Sequence, residues 1–447
     1  MPAPGSGPAR GGGTPGRAYR AYVSVDARTT GSPAAGMTPD EALAAIFFTD
    51  VGLDDPVPYY HHLRETAPVH HSGTGAIFLT RYEDCREVLR DNRLGKSNRE
   101  GDSLIPSSDP AAAEFRKDLL RRRGPDRPMS MLFLNPPAHT RQRGLVSRAF
   151  TPKRVEEMRA RIRTLADGVV DRFVEQGGGD VLEAIGFPLP VAVIGAMVGV
   201  PEADWPQFRS LITAAAAGIE AGASVDELKA AEAANAQVYG YFQDLVAERR
   251  TQPRDDLLTD LLAVNDAGDR LSEPEVIVVA MLLFAAGFET TTNLIGNGLG
   301  ALLRNPAEMA RLWDEPSLMP TAVEEMLRWD SPVQLDVRTA LEPAEVAGEP
   351  VPEGQSVVTL LGAANRDPDH FSDPDRFDVG RDEGPPMSFA SGIHYCLGAN
   401  LSRAEGQEVF ASLVERCRTI ELDGPLVRRN RMTLRGYQAV PVRVTPR

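Results

Sequence analysis

Cysteine is scarce in this chain. Cys85, Cys396 and Cys417 are the only three in 447 residues, widely spaced and without a C-x-x-C pair. That excludes a disulfide framework and a zinc finger, and leaves one of them free to serve as a ligand or a nucleophile. Long apolar runs are missing as well. The longest, Val276–Gly287, is about twelve residues against the ~20 that span a bilayer, and it reads as a buried core helix. Positive charge is in deficit: 48 Lys and Arg stand against 63 Asp and Glu, for a formal charge of −15. Such a field repels phosphate backbones, so general nucleic-acid binding is excluded. The opening MPAPGSGPARGGGTPGR has no apolar run, so neither a signal peptide nor membrane attachment is expected, and the chain reads as cytoplasmic.

What is present is ordinary for a globular protein, 42% apolar and 25% charged residues. The length allows about three average domains. No Pro- or Gly/Ser-rich linker follows residue 40, however, which favours one large domain. Residues 1–37 are rich in Gly and Pro and read as a disordered tail, with the domain running over 38–447. Order is expected to begin at Thr38-Pro39-Asp40-Glu41, a capping residue followed by Pro. Short strand-like pieces occur early (Val69–His71, Ala76–Leu79) and late (Val337–Leu341, Ser356–Leu360, Val440–Val444). Around them Arg141–Phe150, Pro152–Glu175 and Glu232–Arg250 show the 3.6-residue period of amphipathic helices. The longest helix is predicted from the capping box at Ser272–Glu275 to Arg304-Asn305-Pro306. A mainly α protein with small β-sheets follows.

The most specific segment is Phe389-Ala390-Ser391-Gly392-Ile393-His394-Tyr395-Cys396-Leu397-Gly398, with a helical run after it. Cys396 then lies just ahead of a helix N-terminus, where free N–H groups and the dipole are expected to lower a thiol pKa. Gly392 and Gly398 permit turns and close approach to a flat ligand, and Phe389 shields the sulfur. A lone Cys is more often a buried residue at a turn. A nucleophilic Cys is the other rival, without a partnered His/Asn pattern to support it. Elsewhere Glu325-Met326-Leu327-Arg328 sets an acid and a base at i, i+3, by itself only a weak pair. Ala286-Gly287-Phe288-Glu289-Thr290-Thr291 is by itself only a poor helical stretch. His61, His62, His70, His71 and His370 form no metal-binding spacing and receive no function.

The F-x-x-G-x-H-x-C-x-G spacing resembles the haem-binding signature of the cytochrome P-450 superfamily, the haem-thiolate monooxygenases, and the likeness spans about residue 40 to the C-terminus. It implies a single-domain fold shaped as a triangular prism, with haem b between the long helix and the cysteine helix and Cys396 as the axial thiolate. The E-x-x-R pair together with Pro374-Asp375-Arg376-Phe377 resembles the family's structural cluster, implying Glu325, Arg328 and Arg376 as a brace. The A-G-x-[DE]-T-T pattern implies space for O₂ at Gly287, a hydroxyl toward oxygen at Thr290 and a proton relay at Glu289; Phe288 stands where many bacterial members have His. Four basic residues in matching contexts, His139, Arg143, Arg338 and His394, are implied as contacts of the haem propionates.

By the same resemblance, electrons come from a separate ferredoxin and its reductase, and the protein is a monomer. The docking face would be basic, with Arg143, Arg403 or the Arg416–Arg418 region contributing. The substrate pocket would draw on Arg93–Pro128, Phe208–Val238, Met281–Thr291, Val333–Asp336 and Met432–Leu434, and the Ala-rich 214–223 stretch leaves room for a bulky ligand. The implied activity is insertion of one oxygen from O₂ into a bulky apolar molecule, polyketide- or macrolide-like. A steroid, terpenoid or fatty-acid hydroxylase, or a non-oxygenating haem-thiolate isomerase or dehydratase, is the alternative.

Overall fold

The structure is a computed structural model that describes residues 32–96, 109–123, 128–264 and 268–447. The tail expected over 1–37 therefore falls mostly outside the described residues, as do parts of the 93–128 pocket segment. Residues 33–447 form one compact unit.

Helix starts follow the capping chemistry of the sequence. Thr38, Ser224 and Ser272 each close a capping box with the Glu three residues on, opening helices Pro39–Phe48, Val225–Thr251 and Glu273–Arg304. In each, two orphan N–H groups gain side-chain acceptors, and Pro fits at the first turn of the first and third. The Val225–Thr251 helix begins seven residues before the periodic stretch at Glu232, because its Ser224 cap lies upstream of the amphipathic pattern.

The long helix, Glu273–Arg304, is apolar and long enough to cross a membrane, yet most of it is buried in protein. It packs on helices Pro188–Val198, Val225–Thr251, Met319–Trp329 and Ala399–Arg416. Being apolar nearly all round is what a helix at the centre of a large core requires.

Among the described residues the strands form four small sheets. The largest has five strands in the order Val69–His71, Ile77–Leu79, Ser356–Thr359, Asp336–Ala340, Leu94–Gly95. The pair Ile77–Leu79 and Ser356–Thr359 is parallel and the rest antiparallel. This sheet carries Arg338 on its fourth strand. A three-stranded sheet (Gly178–Asp180, Pro441–Pro446, Cys417–Leu422) and the hairpin Val427–Arg428 with Tyr437–Ala439 close the C-terminal side.

Candidate haem site

The cysteine loop runs into helix Ala399–Arg416, with Gly398 as its N-cap. Its shape is set by the backbone: the N–H of Cys396 donates to the Phe389 carbonyl at 3.0 Å, and that of Tyr395 to Gly392 at 3.1 Å. Gly392 is obligatory, since its φ is +70° and a Cβ there would lie 2.2 Å from the Leu89 carbonyl oxygen. Ala390 is held at φ +57° without being Gly, a strained conformation of the kind that functional loops retain. The loop is anchored from below. Asn365 Oδ1 accepts from the Met387 N–H at 2.6 Å, Asn365 Nδ2 donates to Ser388 Oγ at 3.0 Å, and Ser388 donates to the Leu327 carbonyl at 2.7 Å. Sequence reasoning missed Asn365 and Ser388, whose only signal is polarity in an apolar stretch.

Cys396 is exposed as a residue, whereas Cys85 and Cys417 are buried. The lowered thiol pKa expected at this helix end is corrected by the structure. Burial of the sulfur by the protein around it pushes the thiol up, outweighing the Gly398 N–H and the Arg143 and Arg403 charges. Thiolate formation then depends on a metal ion, which deprotonates a coordinating thiol outright.

On one side of the loop lies a basic cluster in which Arg338 donates to Asp336 at 3.2 Å and other ring and guanidinium nitrogens are left over. His139 and His394 approach to 4.3 Å between ring centroids. Both ring nitrogens of His139, Nε2 of His394 and Nε of Arg338 are buried and have no partner among the described residues. Burial, with Arg143 and Arg338 nearby, lowers the His139 pKa; burial and then Arg338 and Lys96 bring His394 down to about 3. Neutral imidazoles, each with an N–H to give, and a buried guanidinium fit an anionic oxygen ligand. Gly398 fits a flat ring as well, because a Cβ there would meet nothing but the Cys396 sulfur, at 3.9 Å. These are the demands of a haem with its propionates, and the residues present meet them.

Arg143 is placed differently from its neighbours, donating to the Tyr395 carbonyl at 2.6 Å and so supporting the loop next to Cys396. Lys96 and Asp336 join the cluster, Nζ to Oδ1 at 2.6 Å, and sequence reasoning had not singled them out as a pair. Burial alone would raise the Asp336 pKa, but Lys96 and Arg338 hold it at about 2.

The structural brace also differs from expectation. Arg328 grips Glu325 with two hydrogen bonds, 2.6 and 2.8 Å, and caps the carbonyls of Asn365 and Pro374. The third member is Arg381, 3.2 Å from Glu325, and not Arg376. The Arg376 side chain is 60% exposed and reaches only Asp378 at 3.5 Å; its backbone carbonyl, not its charge, receives Arg328. A turn closed by the Arg381 N–H on the Asp378 carbonyl at 3.0 Å separates the two, and the Arg381 side chain is the buried one.

On the long helix, Thr290 donates back to the Ala286 carbonyl at 2.6 Å within a helix that stays continuous. Ala286 is exposed. Gly287 does not open the oxygen side as expected, since its absent side chain would point at Ile194, 3.1 Å away, where it admits the neighbouring helix. Phe288 is fully buried with its ring 6.0 Å from Phe187. Glu289 is buried and ion-paired with Arg429. Phe389 lies under the guanidinium of Arg403, 4.5 Å from its centroid. Arg403 is itself paired with Glu324, and Arg416 with Asp167 and Asp171, so much of the positive charge expected on this face is locally balanced.

The family profile described as Cytochrome P450 matches residues 225–435. The chain is 40% identical over 412 residues to the vitamin D(3) 25-hydroxylase of Pseudonocardia autotrophica, covering 90% of this chain and 96% of that protein. It is 37% identical over 400 residues to the cytochrome P450 monooxygenase PikC of Streptomyces venezuelae, covering 87% and 91%. The solved cytochrome P450 PksS of the Bacillus subtilis bacillaene polyketide synthase superposes with a TM-score of 0.75 at 32% identity, over 88% of this chain and 97% of that one. With the fold, the cysteine loop and these relatives in agreement, the chain belongs to the cytochrome P450 family of haem-b monooxygenases.

Proposed function

We propose that this monooxygenase oxidises a bulky apolar natural product of the polyketide or macrolide kind, with Cys396 as the axial ligand of its haem. The observation that carries the ligand assignment is the exposed Cys396 beside the buried ring nitrogens of His139, Nε2 of His394 and Nε of Arg338, which find no partner among the described residues. Haem b held by a thiolate supplies the activation of O₂ that places one oxygen atom in a C–H or C=C bond. The protein does the rest. Arg338, His139 and His394 donate to the propionates, and Arg143 fixes the loop. Glu289 would take up protons, and Thr290, whose hydroxyl donates to the Ala286 carbonyl, would pass one on at Oγ1.

Likeness to the P450 of a polyketide synthase supports the substrate class. Likeness to a vitamin D(3) 25-hydroxylase favours a second reading, a sterol-like substrate. Electrons come from a ferredoxin and its reductase, and the enzyme works in the cytoplasm. A ferric spin-shift titration with macrolactones, vitamin D3, terpenoids and fatty acids tests the substrate class. The predicted result is a tight shift and an oxygenated product with a macrolactone. A shift with vitamin D3 alone would move the assignment to the sterol reading, and a shift with fatty acids alone would overturn both.

A further inference from the structure

Glu289 and Asn293 stand one turn apart on the same face of the long helix. Both are almost fully enclosed, 2% and 1% exposed. Even so, Oε2 of Glu289 and both amide atoms of Asn293 have no hydrogen-bond partner among the described residues. Native proteins seldom leave three buried polar atoms together unless ordered water serves them. The other oxygen of Glu289 is taken by Arg429, which comes from the C-terminal hairpin, far outside the motifs that the sequence reading used.

Arg429 is itself held rigidly. Its N–H donates to the Gly436 carbonyl and its Nε to the Tyr437 carbonyl, each at 3.1 Å. The hairpin lies directly on Asn293, since a Cβ at Gly436 would fall 2.2 Å from Asn293 Oδ1. The Arg429 side chain is 11% exposed, so it stands between the carboxylate and the surface. Beside it Phe187 closes the way, its centroid 5.7 Å from the Arg429 guanidinium and 4.1 Å from that of Arg209.

We propose that Arg429 is the positioning residue of the proton-delivering carboxylate, holding Glu289 turned toward the hairpin so that, with Asn293, it takes up protons from buried water there. This rests on the reading of Glu289 as the proton relay. In each transfer one proton passes from water to the carboxylate and leaves it on the Thr290 side. Glu289 returns to its −1 charge and no electrons move. Without Arg429 the enclosed carboxylate has no counter-charge and no fixed direction.

The test uses the holoenzyme with its ferredoxin system, with vitamin D3 and a macrolactone as probes. The variants are Arg429→Gln, Arg429→Lys and Glu289→Gln. Arg429→Gln is expected to lower kcat about tenfold, a part of the 10²–10⁴ a positioned acid supplies, and to release more peroxide per electron pair while the spin-shift Kd stays unchanged. Arg429→Lys should recover most of both, and Arg429→Gln should do nothing further to kcat in the Glu289→Gln background. Independently of turnover, the Tm loss of Arg429→Gln should largely vanish in that background, because the two share one interaction. Unchanged or raised kcat in Arg429→Gln, with Glu289→Gln slow, overturns this inference and leaves the relay standing. Unchanged kcat in Glu289→Gln overturns the relay itself. A loss that also raises Kd and persists in the double variant is general damage, and it too overturns the inference.

Discussion

Replacing Arg328 by Met removes the centre of the buried brace while keeping much of the side chain's volume. Glu325 is then left with the Asp378 N–H at 2.9 Å and the Arg381 contact at 3.2 Å, both too few for an enclosed charge. The Asn365 carbonyl loses its donor at the same time, while those of Pro374 and Arg376 keep Arg366 at 3.3 Å and Arg381 at 2.9 Å. Breaking a buried pair costs about 3–5 kcal/mol. The orphaned Asn365 carbonyl adds about 1 kcal/mol, with less than full additivity. The loss, about 4–6 kcal/mol, reaches the low end of the stability of a typical domain, about 5–15 kcal/mol, so little folded holoprotein is expected. The informative comparison is between the two remaining arginines. Arg381→Met gives up the Glu325 contact and its hold on the Ser372, Asp373 and Arg376 carbonyls, a loss of about 2 kcal/mol. Arg376→Met removes an exposed pair worth less than about 1 kcal/mol. Urea-unfolding midpoints and haem content, measured side by side, rank the three. If Arg376→Met is as damaging as Arg381→Met, the assignment of the third member is wrong.

Arg338→Met removes the buried guanidinium whose Nε lacks an acceptor, and should speed haem loss to a scavenger apoprotein about tenfold, since a charge-assisted bond is worth about 1.5–3 kcal/mol; an unchanged rate contradicts its propionate role. Asp330 is held at a pKa of about 2, burial working to raise it and Arg428 and Arg435 prevailing. Its folded value lies below the ordinary one, so its contribution is complete above about pH 4 and is lost as pH falls toward 2. The size is about 2 kcal/mol. Acid titration of wild type against Asp330→Asn should show that difference closing in this window. Thr290→Ala should uncouple electron use from product without changing the spin-shift affinity, and unchanged coupling removes Thr290 from the mechanism.

Much of this was legible in the sequence because local chemistry set it. The Ser272 capping box and the Asn305-Pro306 stop mark the ends of the long helix, and both depend on residues within one turn. The loop glycine at 392 was legible for the same reason. What escaped depends on where distant segments meet. Arg376 and Arg381 stand in the same stretch, and only the path of the chain after Phe377 decides which reaches Glu325. Gly287 looked like an opening beside the oxygen site, but the direction of its missing side chain is fixed by the Pro188–Val198 helix. The Lys96–Asp336 pair and the Arg429–Glu289 pair join residues more than a hundred positions apart and have no spacing to read. The thiol of Cys396 shows the limit of a local argument most plainly. The helix end favours the thiolate as expected, and the burial that outweighs it comes from the rest of the fold.

The central claim is that Cys396 supplies the sulfur that holds the haem iron. Reducing the purified protein and adding carbon monoxide measures it in one spectrum. A red-shifted Soret band of a thiolate–CO complex is predicted for the wild type, lost in Cys396→Ser and kept in Cys85→Ser and Cys417→Ser. A band that survives in Cys396→Ser, or a wild-type protein without it, would contradict the account.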